Sequence, residues 1–249
     1  MNTKLILIAC GFAAALPSAA LAQDNADQKG VYVSLQAGVA KVNDVDLTYF
    51  DEGGTFGGTG AQDNARFKTD LKSTFAINGA IGYDFGLIRA DIEVAYSRNK
   101  VKGLAIKSIN GTAITLSPAD REEVCDYLET DSCGGSGNSF DVDGGKLRQA
   151  SVMGNLWVDI PTGSPVTPYV GGGLGISGFE FDGEGKGRFA WQLGAGVAFE
   201  LSPSAAITLD YRHRQAKGAT ITDDEFEDYA VRVGKIRTNT FSAGVRFRF

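Results

Sequence analysis

Histidine, net positive charge and long apolar runs are what this sequence has least of. Histidine occurs once in 249 residues, at His213, and the formal net charge is −6. A single imidazole argues against zinc sites and histidine-dependent catalysis, because both use histidine as a ligand or proton carrier. An acidic chain also lacks the basic surface that nucleic-acid binding requires, so we expect no nucleic-acid partner.

The N-terminus has the parts of a secretory signal peptide. Lys4 precedes an apolar stretch over residues 5–16, and the small residues Ala20 and Ala22 occupy the −3 and −1 positions of a cleavage site. So short a stretch cannot cross the roughly 30 Å hydrocarbon core of a bilayer as a helix. We therefore predict a signal peptide at residues 1–22, cleaved after Ala22, and one mature domain at residues 23–249.

Alternation with period two is the recurring pattern of the mature chain, which has no run of 18 apolar residues. It is clearest at the C-terminus, where Phe241, Val245 and Phe249 fall on one side and Arg246 and Arg248 on the other. Segments of this kind are about twice the usual strand length and match the roughly 9 to 11 residues that a tilted strand needs to cross a bilayer. We predict strands at residues 31–42, 74–85, 87–98, 147–160, 168–180, 189–200, 205–214 and 240–249.

The connections alternate between short and long. Short links fall at residues 86, 161–167 and 201–204, long ones at 44–72, 99–146 and 216–235, and a shorter loop near 182–187. Turns on the periplasmic rim and long loops outside are typical of outer-membrane barrels. The predicted fold is all-β: an eight-stranded antiparallel up-and-down transmembrane barrel with both ends on the periplasmic side.

Alternation alone leaves open which face meets water. A soluble barrel turns its apolar side inward, whereas a membrane barrel turns it toward lipid. The charges of the polar face nearly balance, and its basic residues are arginines, which suits carboxylate pairing inside a sealed lumen. The predicted lumenal ion network comprises Arg89, Asp91, Glu93, Asp210, Arg212, Arg214, Arg246 and Arg248, and Asp84, Asp159, Arg188 and Glu200 share its face.

Aromatic residues gather near the strand ends. Tyrosine and tryptophan rings favour the lipid headgroup boundary, so we expect girdles of rings on the outer wall. The residues assigned to these girdles are Tyr83, Phe85, Tyr96, Trp157, Tyr169, Phe179, Phe199, Tyr211, Phe247 and Phe249.

Four segments carry a family resemblance: WQLGAGVAF at residues 191–199, LSP at 201–203, LDYR at 209–212 and FSAGVRFRF at 241–249. With them the chain resembles the small eight-stranded outer-membrane barrels that include opacity-type surface proteins and OmpA-like transmembrane domains. The resemblance implies an outer-membrane location with lipids as partners. It also implies a C-terminal signal read by the barrel assembly machinery, carried by Phe241, Val245, Phe247 and Phe249.

His213 is the one candidate for catalysis. Lipid A deacylases, which are barrels of similar size, use a His-x-Ser pair on a strand, but here the third residue is Gln215. We therefore expect no enzyme activity, no catalytic residues, no cofactor and no metal site. His213 is interpreted as a rim residue of the seventh strand.

The loop over residues 99–146 contains a helix signal. Ser117 is a suitable N-cap, Pro118 fits the first helical position, and Asp120 lies in the first turn. In an exported protein the natural expectation for Cys125 and Cys133 is a disulfide. The loop is then either a recognition surface stiffened by that bond or a stapled loop without a recognition role.

Three functions remain open on the sequence alone. The first is an integral outer-membrane barrel with a lumen plugged by side chains, a structural role, and loops that meet an extracellular ligand. The second is a narrow porin-like channel for ions or small solutes. The third is a soluble periplasmic barrel that holds a hydrophobic ligand. An eight-stranded barrel is only wide enough for its own side chains, which favours the first.

Overall fold

A ring of antiparallel strands dominates the fold. The computed structural model describes residues 29–127, 134–142, 146–181, 184–222 and 230–249; the predicted signal peptide lies outside them. In chain order the elements are β1 (Gly30–Val42), β2 (Val45–Glu52), β3 (Gln62–Leu71), β4 (Thr74–Asp84), β5 (Ile88–Ile109), β6 (Thr112–Ala113), α1 (Pro118–Tyr127), β7 (Ser139–Asp141), β8 (Lys146–Asp159), β9 (Val166–Phe181), β10 (Glu184–Ser202), β11 (Ala205–Ala216), β12 (Ala219–Thr222), β13 (Ala230–Val233) and β14 (Ile236–Arg248).

Eight of these strands close on themselves. Going around the ring they are β1, β4, β5, β8, β9, β10, β11 and β14, each antiparallel to its neighbours. Closure is made by β14 against β1, from Arg248 opposite Tyr32 to Thr238 opposite Val42. The predicted eight-stranded up-and-down barrel is confirmed, since strands that follow one another in the ring also follow one another in the chain.

The outer wall of the ring is apolar. Ile92, Leu193 and Phe241 are 60%, 58% and 64% exposed, respectively, although a soluble barrel would bury them. The residues that alternate with them point inward, and most of those in the middle of the barrel are polar. This inside-out polarity is the arrangement that a lipid-facing wall requires.

The short turns share one end of the barrel with both ends of the described chain. At the β4–β5 turn, Gly86 adopts a φ of 104°, a conformation that favours glycine, and its amide donates to Asp84 Oδ1 at 2.8 Å. The Phe249 amide donates to the Val31 carbonyl at 2.8 Å at this same end. We call it the turn end and the opposite end the mouth.

The long connections contain more regular structure than their sequences predict. Segments predicted as loops contain β2, β3, β12 and β13, which pair with one another and with the far half of β5 in a second sheet beyond the mouth. For this reason β5 does not stop near residue 98 as predicted but continues to Ile109. Strand β10 is also longer than predicted, because its first residues pair with the end of β9.

The helix predicted after Ser117 is confirmed as α1. The Asp120 amide donates to Ser117 Oγ at 3.2 Å and the Ser117 amide donates to Asp120 Oδ2 at 2.9 Å, so the two residues cap the helix reciprocally. Within the described residues, no helix is long and apolar enough to span a membrane.

Candidate functional site

Polar side chains fill the middle of the barrel. Buried and inward-pointing are Gln36, Asn78, Asp84, Arg89, Glu93, Ser97, Gln149, Ser151, Asn155, Asp159, Ser177, Gln192, Thr208, Asp210, Arg212, Thr238, Ser242 and Arg246. Buried polar groups are costly unless they are paired, so their mutual contacts decide what the lumen can do.

Glu93 forms the centre of this network and is 1% exposed. Its Oε2 contacts Arg212 Nη1, its Oε1 lies 3.7 Å from Arg214 Nη2, and Gln192 Nε2 donates to Oε1 at 3.4 Å. Glu93 belongs to β5 and Arg212 to β11, which lie four strands apart in either direction around the ring. This ion pair therefore crosses the full width of the lumen.

Asp91 and Asp210 are each surrounded by donors. Asp91 accepts hydrogen bonds from Tyr32 Oη at 2.6 Å, Asn155 Nδ2 at 2.7 Å and Trp157 Nε1 at 2.9 Å. Asp210 is contacted by Gln36 Nε2 and accepts a hydrogen bond from Arg212 Nη2 at 3.3 Å. Several donors around one carboxylate compensate for its removal from water.

Three arginine–carboxylate pairs lie nearer the turn end. Arg89 forms a bidentate pair with Asp159, with Nε–Oδ2 and Nη2–Oδ1 distances of 2.7 and 2.8 Å. Arg246 Nη2 donates to Glu200 Oε1 at 3.0 Å. Arg248 Nη2 lies 3.1 Å from Asp84 Oδ2. All eight residues of the predicted network thus point into the lumen; Arg188, predicted on the same face, is half-buried and donates to the Gly187 carbonyl.

Three rings assigned to the lipid girdle lie inside the barrel instead, those of Trp157, Tyr169 and Phe179. Trp157 and Tyr169 are 1% and 3% exposed and meet edge to face, with ring centroids 5.8 Å apart. The guanidinium of Arg212 lies 5.2 Å from the Trp157 ring centroid. The prediction of a girdle position was wrong for these three residues, because their place in the alternation puts them on the lumenal face of their strands.

Glycines on β9 and β10 make room for these rings. A Cβ on Gly194 would lie 2.8 Å from Trp157 Cη2, and one on Gly196 would lie 2.5 Å from Tyr169 Cζ. Real carbon contacts are not that short, so both positions require glycine for the rings to lie against the wall.

Little space is left between the side chains in the middle of the lumen, whereas an open cavity of about 590 Å³ lies at the turn end beside Asp84, Asp159, Arg246 and Arg248. A cavity of about 10 Å³ lies among Asn78, Ser97, Arg212, Arg214 and Thr238. That is roughly the volume in which a single water molecule fits. Beside this cavity, Asn78 Nδ2 donates a hydrogen bond to Gln36 Oε1 at 2.6 Å.

The lumenal face changes from polar to apolar toward the mouth. Val42, Leu147, Phe179 and Ile236 point inward there and pack against the second sheet. The further buried members of this cluster are Val45, Leu71, Val101, Met153, Ala190, Ala216, Ala219 and Val233. The alternation pattern does not predict this cluster, which we call the mouth core.

A separate apolar core supports α1 outside the ring. It contains Ile106, Cys125 and Phe140. Arg121 Nη1 donates to the carbonyls of Gly137 and Ser139 at 2.7 and 2.8 Å, and its guanidinium lies 4.5 Å from the Phe140 ring centroid. The long β5–β8 connection therefore has a folded platform built on α1 and β7. Cys133 lies outside the described residues, so the disulfide stays a prediction.

The remaining predicted residues lie on the outer wall. Phe241, Val245, Phe247 and Phe249 are 64%, 38%, 46% and 57% exposed on the outward face of β14 and of the residue that follows it. His213 also faces outward; its Nδ1 lies 2.8 Å from Asn239 Oδ1, and its ring centroid lies 5.6 Å from that of Trp191.

Comparison with curated proteins gives distant relatives. An uncharacterised protein of Brucella abortus (strain 2308) is 26% identical over 185 residues, which cover 65% of this chain and 58% of the relative. An uncharacterised protein of Brucella suis biovar 1 (strain 1330) matches to the same extent. The match thus spans less than two thirds of the relatives' own length.

Solved structures of outer-membrane barrels share the fold. Neisserial surface protein A matches with a TM-score of 0.50 and 17% identity, covering 88% of this chain and 97% of that one. OprG from Pseudomonas aeruginosa matches with a TM-score of 0.51 and 14% identity over the same shares. The family model described as "Outer membrane protein beta-barrel domain" matches residues 8–249. This chain belongs to that family and is a protein of the outer membrane.

Proposed function

We propose that this protein is a structural, surface-exposed barrel of the outer membrane whose lumen is closed to solutes. The observation that carries the proposal is the contact between Glu93 and Arg212 across the full width of the lumen. Charged and amide side chains surround this pair, and an ion entering the lumen would have to break several of those contacts. The side chains themselves therefore act as the plug.

Conductance across a planar bilayer tests the closure. The refolded protein should give no steady unit current, while a variant carrying both Glu93→Ala and Arg212→Ala should give more frequent transient openings, because one of the two side-chain contacts that span the lumen is gone. A matched control carries Val94→Ala and Tyr211→Ala, the neighbouring residues on the outer wall. A steady unit current through the unaltered protein would overturn the closure and favour a narrow channel instead.

We place the surface role on the platform built around α1. Its apolar core and the hydrogen bonds of Arg121 and Asn138 support a fixed shape for an extracellular ligand to recognise. A Cys125–Cys133 disulfide would close a short loop next to that core and restrain it further. Mass spectrometry of alkylated, unreduced protein should find neither cysteine modified; alkylation of both would remove the disulfide from the proposal.

We also infer that the protein is not an enzyme. The outward position of His213, with Asn239 as its contact, supports a structural role at the barrel wall. Replacing His213 with alanine should leave the folded yield and the surface display of the platform unchanged. Loss of a hydrolytic activity toward outer-membrane lipids in that variant would contradict this inference.

Export and assembly complete the proposal. We expect removal of the signal peptide after Ala22, so N-terminal sequencing should begin at Gln23, and any other start would revise the site.

The outward face of β14 is proposed as the signal for the assembly machinery. Phe249→Ser should then lower the amount of folded protein in the outer membrane several-fold. Phe85→Ser, at an equally exposed aromatic (54% against 57%), is the control and should not.

A further inference from the structure

An apolar cavity lies at the mouth, between the ring and the second sheet. Its volume is about 280 Å³. Nine of its ten lining residues are apolar, among them Leu47, Leu71, Phe179, Val233 and Ile236. Small-molecule sites in proteins have this character, with an apolar lining and one or a few polar groups that orient the ligand.

The tenth lining residue is Thr69, and its hydroxyl has no hydrogen-bond partner among the described residues. Thr69 is 5% exposed, so bulk water does not supply the missing partner. Its backbone is fixed in the middle of the second sheet, between Val45 on β2 and Leu104 on β5. A buried hydroxyl without a partner is uncommon in folded proteins and calls for an explanation.

The lining also limits the charge of an occupant. None of the ten lining residues is ionisable, so a bound carboxylate or ammonium would lose its hydration without gaining a counterion. An uncharged polar group loses far less hydration free energy on burial, and it can form a hydrogen bond with Thr69. The size limit follows from the volume, which is nearly twice the roughly 150 Å³ of a cavity that holds a benzene molecule.

We propose that this cavity binds a small, uncharged amphiphile, a chain or ring of about ten non-hydrogen atoms that carries one hydroxyl or carbonyl group. The apolar part lies against the mouth core, and the polar group hydrogen-bonds to Thr69 Oγ1. The cavity lies on the mouth side of the polar network, so the ligand is held at the extracellular end, and the proposal does not depend on whether the lumen conducts.

Methyl NMR of the mature chain in phospholipid nanodiscs tests the proposal. Three probes of nearly equal size are titrated: 1-octanol, nonane, and octanoate at pH 8. Octanol should produce saturable shifts of the Leu71, Val233 and Ile236 methyl groups. Methyl groups of Leu35 and Leu193, which face lipid, report partition into the bilayer in the same sample and should shift without saturation.

The affinities decide the role of Thr69. Octanol should bind about fivefold tighter than nonane, as one added hydrogen bond predicts, and octanoate should not bind. Thr69→Val keeps the shape of the side chain but removes the hydroxyl, so the octanol affinity of this variant should fall to that of nonane or below it, because the octanol hydroxyl is then buried without a partner. The proposal is overturned if the cavity methyl groups only follow Leu35, if octanoate binds as well as octanol, or if Thr69→Val keeps the octanol preference. The comparison of probes on the unaltered chain decides the matter even if that variant fails to assemble.

Discussion

Thr238 and Gln149 hydrogen-bond to each other across the barrel from opposite walls of the ring. The Thr238 hydroxyl donates to Gln149 Oε1 at 3.0 Å, and both residues are buried. Register places this contact nearer the mouth than the contact between Glu93 and Arg212. Two layers of side chains therefore cross the lumen, one ionic and one neutral.

The ionic layer should be the more sensitive to loss of one partner. Arg212→Met leaves Glu93 buried with only the longer contacts to Arg214 and Gln192, so we expect a loss of about 3 to 5 kcal/mol in the free energy of unfolding. Adding Glu93→Leu to that variant should recover most of the loss, because the unpaired charge is then removed. Urea unfolding in lipid or detergent, followed by tryptophan fluorescence, measures both.

The neutral layer supplies the control for that experiment. Thr238→Val combined with Gln149→Leu removes an uncharged pair and should cost only about 1 kcal/mol. If the double variant at Glu93 and Arg212 is as unstable as Arg212→Met alone, unpaired charge is not the cause of the loss.

The glycine positions under the lumenal rings should tolerate no side chain. Gly196→Ala places a Cβ 2.5 Å from Tyr169 Cζ, so the ring or the strand must move. We expect a loss of about 1 to 3 kcal/mol, typical of overpacking. Gly154→Ala is the control: it lies on the outer wall of β8, where the nearest atom to the added Cβ is the Leu174 carbonyl oxygen at 3.8 Å. Equal stability of the two variants in urea would contradict the packing argument.

The ring could be predicted from the sequence because alternation is read directly from residue types. Arg246 and Arg248 share a face, and so do Phe241 and Phe249; lipid on one side and paired charges on the other account for that pattern. The inward position of Trp157 could have been found by the same rule, because it has the same parity as Asp159 two residues later. It was missed because rings near strand ends were assigned to the girdle by residue type alone.

The second sheet and the mouth core were harder to foresee. Residues Ala65, Phe67, Thr69 and Leu71 of β3 alternate with polar ones, but the segment lies within a long connection where no membrane strand was needed. Nothing local in the sequence shows that β5 continues past the rim and supplies β3 with a partner. The unpaired hydroxyl of Thr69 depends on this long-range pairing and so could be recognised only in the structure.

The turn between β2 and β3 should respond to acid through Asp63. Burial of this carboxylate raises its pKa. The Phe56 and Gly58 amides donate hydrogen bonds to it at 2.7 and 3.1 Å, and Asn110 Nδ2 donates another at 3.1 Å. These hydrogen bonds lower the pKa more than burial raises it, so the pKa of Asp63 lies below its ordinary value. A lowered pKa stabilises the turn above the unfolded pKa of about 3.9, and that contribution is lost as the pH falls through the lower folded value. The amide proton shifts of Phe56 and Gly58 should therefore stay constant from pH 7 to about pH 4 and change below it. Asp63→Asn should show the altered shifts at every pH, and a transition above pH 4 in the unaltered chain would contradict the assignment.

The direction of the barrel in the membrane follows from its two unequal ends. Thr112 lies on the second sheet beyond the mouth and Thr162 in the β8–β9 turn, and both are exposed. Because short turns face the periplasm in this class of barrel, a membrane-impermeant maleimide added to intact cells should label Thr112→Cys and not Thr162→Cys. Permeabilising the outer membrane should make the second variant reactive, which shows that its thiol is accessible once reached. The unsubstituted chain sets the background and should stay unlabelled if Cys125 and Cys133 form a disulfide. Labelling of Thr162→Cys alone in intact cells would reverse the orientation and would place the mouth cavity on the periplasmic side.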